Sequence, residues 1–211
     1  GEPYAFDPAV LCEGDGVRLY MGYCPYPPRH LMEVPKTYTH AWVYRLESDM
    51  LTIRGEGIPI VPSFSNSAGT GFEGHEFFEA ASIRKVEGRY CFIWSSYYGH
   101  ELCYALAERP EGPFRFGGTI ISNGDIGLFG IADENDCNGY IGNNHGSVEK
   151  IGGRWYVFYH RHTNGNSFSR RACAGGGKGR KNSAGRDDEL RFKRRPARRR
   201  WQVPGLHSLH P

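Results

Sequence analysis

Three segments of this chain share one outline, and this internal repeat constrains the fold more than any other feature. They are DPAVLCEGDGVRLYMGY (residues 7–23), EAASIRKVEGRYCFIWS (residues 79–95) and HGSVEKIGGRWYVFYHR (residues 145–161). Each opens on a polar residue, reaches a Gly-containing turn and continues into an aromatic strand. Successive segments begin 72 and 66 residues apart, which leaves room for a hairpin and two more strands, as in a four-stranded propeller blade.

The rest of the body also favours β-structure. Short runs rich in Tyr, Phe, Trp, Val and Ile are broken by Gly, Pro, Asn and Asp, and no long amphipathic helix separates them. The clearest predicted strands are VRLYMGY, HAWVYRLE, RYCFIWSSYY, ELCYALAE and RWYVFYHRH. These runs fit a sandwich, a barrel or a propeller, and the repeat selects the propeller.

In a propeller the first strand of each blade lies innermost, so equivalent positions on these strands face one axis. Asp7, Glu79 and His145 open the three repeats, and we therefore predict that they converge on a central pocket. Any one of them alone reads more readily as a turn or capping residue. The prediction rests on three ionisable residues at one repeat position.

A pair of carboxyl groups across a pocket can cleave a glycosidic bond, one as general acid and one activating water or attacking the sugar. Glu79 lies in EFFEAAS, whose apolar neighbours are expected to raise its pKa, as suits an acid. Phe78 and Trp94 are candidates for stacking on a sugar, with ordinary core packing as their alternative. His145 could be a hydrogen-bonded structural residue, or it could hold a metal ion, calcium if water supplies the other ligands.

Charge and cysteine content bound the function further. The net charge of +3 is the sum of a body at −5 (residues 1–173) and a tail at +8 (residues 174–211). The cysteines form no CxxC pair, which disfavours a zinc ribbon or a thioredoxin-type site, and we expect them to be reduced core residues although an even number also permits disulfides. They are Cys12, Cys24, Cys91, Cys103, Cys137 and Cys173. With no signal-peptide pattern and no bilayer-spanning run, we expect a cytoplasmic location and no membrane partner.

Over residues 3–173 the chain resembles glycoside hydrolase family 43. The resemblance is carried by FDPAVLCEGDG, GTGFEGHEFFEAASIRK, HELCYALAERPEGPF, GGTIISNGD, GNNHGSVEKIGGRWYVFYHRHT and SRRAC. It implies a five-bladed β-propeller, here a partial one, that acts on β-xylosyl or α-L-arabinofuranosyl linkages with inversion. The implied partners are arabinoxylan or xylo- and arabino-oligosaccharides. No cofactor is required, and a structural calcium is conceivable.

The resemblance also implies roles. Glu79 matches the general acid, Asp7 the aspartate that tunes and orients that acid, and His145 an axial histidine linked to a metal. Arg170 and Arg171 in FSRRAC are candidates for contacting sugar hydroxyls, with a surface pair equally open. The family's general-base Asp precedes the segment that matches Asp7, so the base is expected to be absent from these residues. Two carboxylates, Asp125 and Asp133, are alternatives, although their contexts do not favour them.

The resemblance stops after Cys173, and residues 174–211 form a basic tail without strand periodicity. We expect this tail to be disordered, and we hypothesise that it is the product of a frameshift. Shifting the codons by one base lets residues 186–197 read EMTSCGLNGGPL and residues 201–210 read GRYPAYIACI, both similar to late strands of the family. The coding DNA would settle the point.

Two other classes of function stay open at this stage. A non-catalytic propeller would bind the same oligosaccharides without cleaving them. A nucleic-acid binder would use the clustered Lys and Arg of the tail, but a frameshifted tail would not have been selected for binding, so no nucleic-acid partner is expected. Lacking a first blade, the chain is expected to have weak or no hydrolytic activity.

Overall fold

The computed structural model of the protein describes residues 5–23, 39–126, 131–132, 137, 141–163 and 166–175. These residues form β-strands and one short 3₁₀ turn, so the all-β prediction is confirmed for them. The strands are β1 (Ala5–Glu13), β2 (Gly16–Tyr23), β3 (His40–Leu46), β4 (Ile53–Pro62), β5 (Phe77–Val86), β6 (Arg89–Ser96), β7 (Leu102–Ala107), β8 (Arg115–Ile121), β9 (Gly146–Ile151), β10 (Arg154–Thr163) and β11 (Asn166–Gly175); the 3₁₀ turn is Phe64–Asn66.

The described strands form three antiparallel sheets of simple up-and-down order. The first sheet runs β1-β2-β3-β4, the second β5-β6-β7-β8, and the third β9-β10-β11. The predicted repeat corresponds to the first hairpin of each sheet, β1–β2, β5–β6 and β9–β10. The opening strands also contact one another, β1 against β5 and β5 against β9. The three repeat positions therefore lie on neighbouring strands.

Two apolar cores hold the sheets together, one on each side of the second sheet. The first core joins side chains of the first and second sheets, with Tyr20, Val43, Phe92 and Trp94 at its centre. The second core joins the second and third sheets. Because the second sheet is covered on both faces, its central strands β6 and β7 read as largely continuous apolar runs instead of alternating ones, and the last seven residues of β6 are all buried.

The tight turns of the repeat have a backbone reason for their glycines. Gly88 joins β5 to β6 with φ of +83°, and Gly153 joins β9 to β10 with φ of +79°. A residue with a Cβ is disfavoured in this left-handed region. The turn glycines therefore fix where each hairpin reverses, and with it the register that aligns the three opening strands.

The last strand, β11, runs to Gly175, two residues beyond the predicted domain boundary at Cys173. The predicted disordered tail and the frameshift hypothesis fall on residues 176–211, which lie outside the described residues. Four cysteines are described as free thiols, Cys91 and Cys103 among them and both buried. Within the described residues, no helix has the length and apolar character needed to cross a bilayer.

Candidate active site

The strands that carry Asp7 and Glu79 are both interrupted by β-bulges at those residues. The β1–β2 register shifts between Phe6 and Ala9, and the β5–β6 register shifts on either side of Glu79. Asp7 has φ of +44° and Ala80, next to Glu79, has φ of +62°. Each such conformation costs about 1–3 kcal/mol, and bulges of this kind re-aim side chains next to active sites.

His145 lies one residue before β9 and is held by its backbone. Its carbonyl accepts a hydrogen bond from the His160 amide at 2.8 Å. A Cβ added to the following residue, Gly146, would lie 2.5 Å from the Phe158 carbonyl oxygen, so only glycine permits this close approach to β10. The preceding Asn144 is fully buried and donates to the Ile121 carbonyl at 3.3 Å. The imidazole is therefore presented from a rigid backbone.

The three predicted residues converge, which confirms the geometric prediction from the repeat. His145 Nε2 lies 2.8 Å from Glu79 Oε1, and His145 Nδ1 lies 3.8 Å from Asp7 Oδ2. Asp7 Oδ2 also accepts a hydrogen bond from the Ala80 amide at 3.1 Å. Asp7 and His145, together with Pro8, Ala80, Ala81 and Gly146, line a cavity of about 300 Å³, and Glu79 is not among its lining residues.

The expectation that apolar neighbours raise the pKa of Glu79 is wrong for this arrangement. Burial does raise that pKa, but the imidazoles of His100 and His145 outweigh burial and lower it from 4.5 to about 2. The two imidazoles come from turns 21 and 66 residues away in sequence, so the local EFFEAAS context could not reveal them. Glu79 is thus an ionised carboxylate with a proton donor, His145 Nε2, at hydrogen-bond distance.

Acid should destabilise the chain partly through Glu79. A carboxyl whose pKa falls from 4.5 to about 2 on folding stabilises the fold fully above pH 4.5, and that stabilisation is lost as the pH falls through 2. Between these pH values we expect wild type to lose about 1–2 kcal/mol more unfolding free energy than Glu79→Gln, allowing for solvent screening. Urea denaturation at each pH measures this, and parallel pH profiles for the two proteins would contradict the ion pairing.

Sequence reasoning missed His100. This residue lies in the turn between β6 and β7 with φ of +44°, and its Nδ1 lies 3.7 Å from Glu79 Oε1, an ion-pair distance. Its ring meets Phe78 edge-on, with centroids 5.0 Å apart. The one sequence signal for His100 was its position as a polar residue in a turn at the same end of the sheet as Glu79. Many turn residues that have no role in a site meet this description.

The predicted sugar-stacking role of Trp94 is wrong. Its side chain is fully buried in the first core between the rings of Phe72 and Phe92, and its indole N–H donates to the His75 carbonyl. Phe78 is also buried, 7% exposed, so it supports His100 and its direct contact with a sugar stays a prediction. Arg170 and Arg171 lie on the backbone of β11 opposite β10, and their side chains lie outside what the structure describes.

The spacing of the carboxyl groups limits what Asp7 can do. One oxygen of Asp7 and one of Glu79 lie within 4.8 Å of each other, whereas an inverting pair stands about 6.5–9.5 Å apart so that water fits between. Asp7 is thus too close to Glu79 to be its general base. The alternative base Asp125 lies in a turn after β8 and outside this cluster of three, and Asp133 lies outside the described residues.

The same three residues do not fit calcium well. Both nitrogens of His145 face carboxylates, and only Asp7 and Glu79 offer side-chain oxygens within the cluster. Calcium takes six to eight oxygen ligands, so water would have to supply most of them. Calcium at His145 stays a prediction, and no chemical step is assigned to it.

No family model matches this chain. Individual proteins that are similar to it carry names that agree with the predicted glycosidase activity. A xylosidase/arabinosidase from Thermoclostridium stercorarium is 50% identical over 168 residues, which cover 80% of this chain and 34% of that protein. The chain is thus similar to xylosidase/arabinosidase-type proteins and to solved structures of glycoside hydrolase family 43. A second xylosidase/arabinosidase, from Bacteroides ovatus, is 27% identical over 173 residues, which cover 74% of this chain and 48% of that protein.

Solved structures agree with this at the level of the fold. A family 43 β-xylosidase/α-arabinofuranosidase from a compost microbial metagenome, in complex with xylotriose and in a calcium-free form, has a TM-score of 0.59 at 24% identity. The match covers 81% of this chain and 54% of that one. This chain thus spans about a third to a half of the length of the relatives and structures that it matches.

Proposed function

We propose that this chain contributes to hydrolysis of β-xylosyl or α-L-arabinofuranosyl linkages in hemicellulose fragments. One observation carries the proposal: Asp7, Glu79 and His145, far apart in sequence, converge with their ligand atoms within 4.8 Å of one another, beside a cavity that Asp7 and His145 line. The xylosidase/arabinosidase names of the relatives from Thermoclostridium stercorarium and Bacteroides ovatus support the same substrate class.

In the proposed reaction Glu79 is the general acid, protonating the oxygen of the departing sugar or alcohol as the glycosidic bond breaks. Since the carboxylate is ionised at rest, it must first receive a proton. His145 Nε2, 2.8 Å from Glu79 Oε1, is the group positioned to supply it. Few molecules carry the proton on Glu79 at any moment, and we therefore expect slow turnover.

Asp7 is proposed as a positioning residue. Its carboxylate holds the Ala80 amide at 3.1 Å and faces His145 Nδ1, so it fixes both the bulge beside Glu79 and the imidazole that bonds to Glu79. We propose that the general base, which activates a water on the opposite face of the sugar, is supplied by a residue outside the cluster of Asp7, Glu79 and His145.

We further propose that the three sheets are consecutive blades of a five-bladed propeller. Support comes from the face-to-face order of the sheets, from the contact of their opening strands with one another, and from the fold likeness to family 43 structures. In this arrangement the cavity at Asp7 and His145 lies at the propeller axis, where the opening strands of all blades end.

The assay that tests the function compares aryl pentosides with aryl hexosides. We expect the 211-residue chain to release nitrophenol from 4-nitrophenyl β-xyloside or α-L-arabinofuranoside, slowly, and at a rate at least 10-fold higher than from the β-glucoside. Glu79→Ala should slow the release measurably. No release above the Glu79→Ala level between pH 4 and 8, from protein that circular dichroism reports as folded, would overturn the proposal.

The same protein samples can distinguish hydrolysis from a role in carbohydrate binding without hydrolysis. In that case xylotriose would perturb the NMR signals of residues at the cavity, and Glu79→Gln would leave both the affinity and the absence of product unchanged. The relatives' names favour hydrolysis over this alternative.

A further inference from the structure

A second cluster of ligand-type side chains lies away from the cavity, at the end of the second sheet. His75 lies in the turn before β5, Glu101 directly precedes β7, and Cys103 is the second residue of β7. One ligand atom from each of the three lies within 4.8 Å of the others. None of them takes part in the site formed by Asp7, Glu79 and His145.

The distances within this cluster match the corners of a tetrahedral metal site. His75 Nδ1 lies 3.2 Å from Glu101 Oε2 and 3.8 Å from Cys103 Sγ. Ligands bound to zinc at about 2.0–2.3 Å and set at tetrahedral corners are separated by about 3.3–3.8 Å. The three side chains thus need only small movements to bind one ion.

Burial and charge also favour a cation here. Glu101 is 6% exposed, and its ion-pair partner among the described residues is His75, which is charged only when protonated. A buried carboxylate without a permanent positive charge beside it is costly. Glu76, itself buried, adds a further negative charge near Cys103. A divalent cation would offset most of this negative charge.

Neighbouring groups orient the ligands as outer-shell partners do in metal sites. The Thr119 hydroxyl donates to Glu101 Oε2 at 3.3 Å. The His75 ring stacks on Phe116 with centroids 4.6 Å apart and planes at 17°. The His75 side chain is 34% exposed, so an ion can reach the cluster from the solvent on that side while Cys103 stays fully buried.

We propose that His75, Glu101 and Cys103 bind a zinc ion, with water as the fourth ligand. Imidazole and thiolate donors beside a single carboxylate favour zinc over calcium or magnesium. On binding, the Cys103 S–H bond breaks, the zinc–sulfur bond forms and the proton leaves to solvent. The ion ties the turn before β5 to β7, and so braces the strand that carries Glu79 four residues further on. This proposal does not depend on the proposed function.

Cobalt substitution tests the site with a spectroscopic signal that requires the thiolate. The full chain, freed of metal with a chelator, is titrated with Co²⁺, and we expect one equivalent to produce thiolate-to-cobalt charge-transfer absorption in the near ultraviolet. Zn²⁺ should displace it stoichiometrically. Absence of this absorption in the wild-type protein would overturn the proposal.

Matched variants assign the signal to the cluster. Cys103→Ser should remove the absorption and lower zinc affinity at least 10-fold, whereas Cys91→Ser, at another buried cysteine on the adjacent β6, should leave both unchanged. His145→Gln should also leave both unchanged, which separates this cluster from the cavity residues.

His75→Gln, at the exposed rim, must lower zinc affinity at least 10-fold even where Cys103→Ser fails to fold. Unaltered binding in folded His75→Gln or Cys103→Ser, or loss of the signal in His145→Gln, would overturn the assignment.

Discussion

Glu79→Gln is expected to slow hydrolysis of xylobiose by about 10²–10⁴-fold, the usual contribution of a general acid. Glutamine keeps the shape of the side chain and can still contact His145, but it has no proton to give to the departing sugar. The same variant should hydrolyse 2,4-dinitrophenyl β-xyloside within a few-fold of wild type, because this leaving group departs without protonation. The loss should therefore depend on the leaving group.

The matched control for this variant is Glu149→Gln. Glu149 lies on β9, the strand that follows His145, but its side chain is half exposed and pairs with Arg84, so the change should leave both rates unaltered. Initial rates on the two substrates, measured for the three proteins at one pH, decide the matter. An equal loss on both substrates in Glu79→Gln would indicate a damaged site in place of a missing acid.

Trp94→Ala is expected to lower the free energy of unfolding by about 3–5 kcal/mol, the range for truncating a buried aromatic side chain. The indole fills the first core between Phe72 and Phe92, and its removal also leaves the His75 carbonyl without its donor. Chemical denaturation followed by far-ultraviolet circular dichroism measures the loss. A loss of this size is a large fraction of the stability of an ordinary domain.

Leu51→Ala provides the control, since Leu51 is 87% exposed and its truncation should change stability by less than about 0.5 kcal/mol. The two roles considered for Trp94 give opposite results. If the indole stacked on a sugar, Trp94→Ala would weaken xylotriose binding and leave the unfolding free energy unchanged, which would contradict the buried position.

Local pattern was sufficient to predict the repeat hairpins, β3, β7 and the convergence of the site, whereas β4 and β8 were not predicted. Aromatic runs bounded by glycine turns identify the hairpins, and a repeat position in an up-and-down sheet predicts which side chains meet. Asp7, Glu79 and His145 could therefore be placed together from sequence because equal positions in equal units lie along one line.

What the sequence could not predict depends on packing between sheets. Trp94 has the same local composition as a sugar-stacking residue, and only the covering of both faces of the second sheet determines that it is buried. His100 and His145 reach Glu79 through space from distant turns, so the lowered pKa of Glu79 has no local signal. His75, Glu101 and Cys103 likewise come together only when β7 packs beside the turn before β5.

The anomer formed first is the most direct test of the account. Glu79 is proposed as the general acid of an inverting site, in which water attacks the sugar on the face opposite the leaving group. Proton NMR during hydrolysis of a β-xyloside by the 211-residue chain is predicted to show α-xylose appearing first and then equilibrating with the β-anomer. Initial formation of β-xylose would contradict the account, because it requires a carboxylate nucleophile and a covalent intermediate.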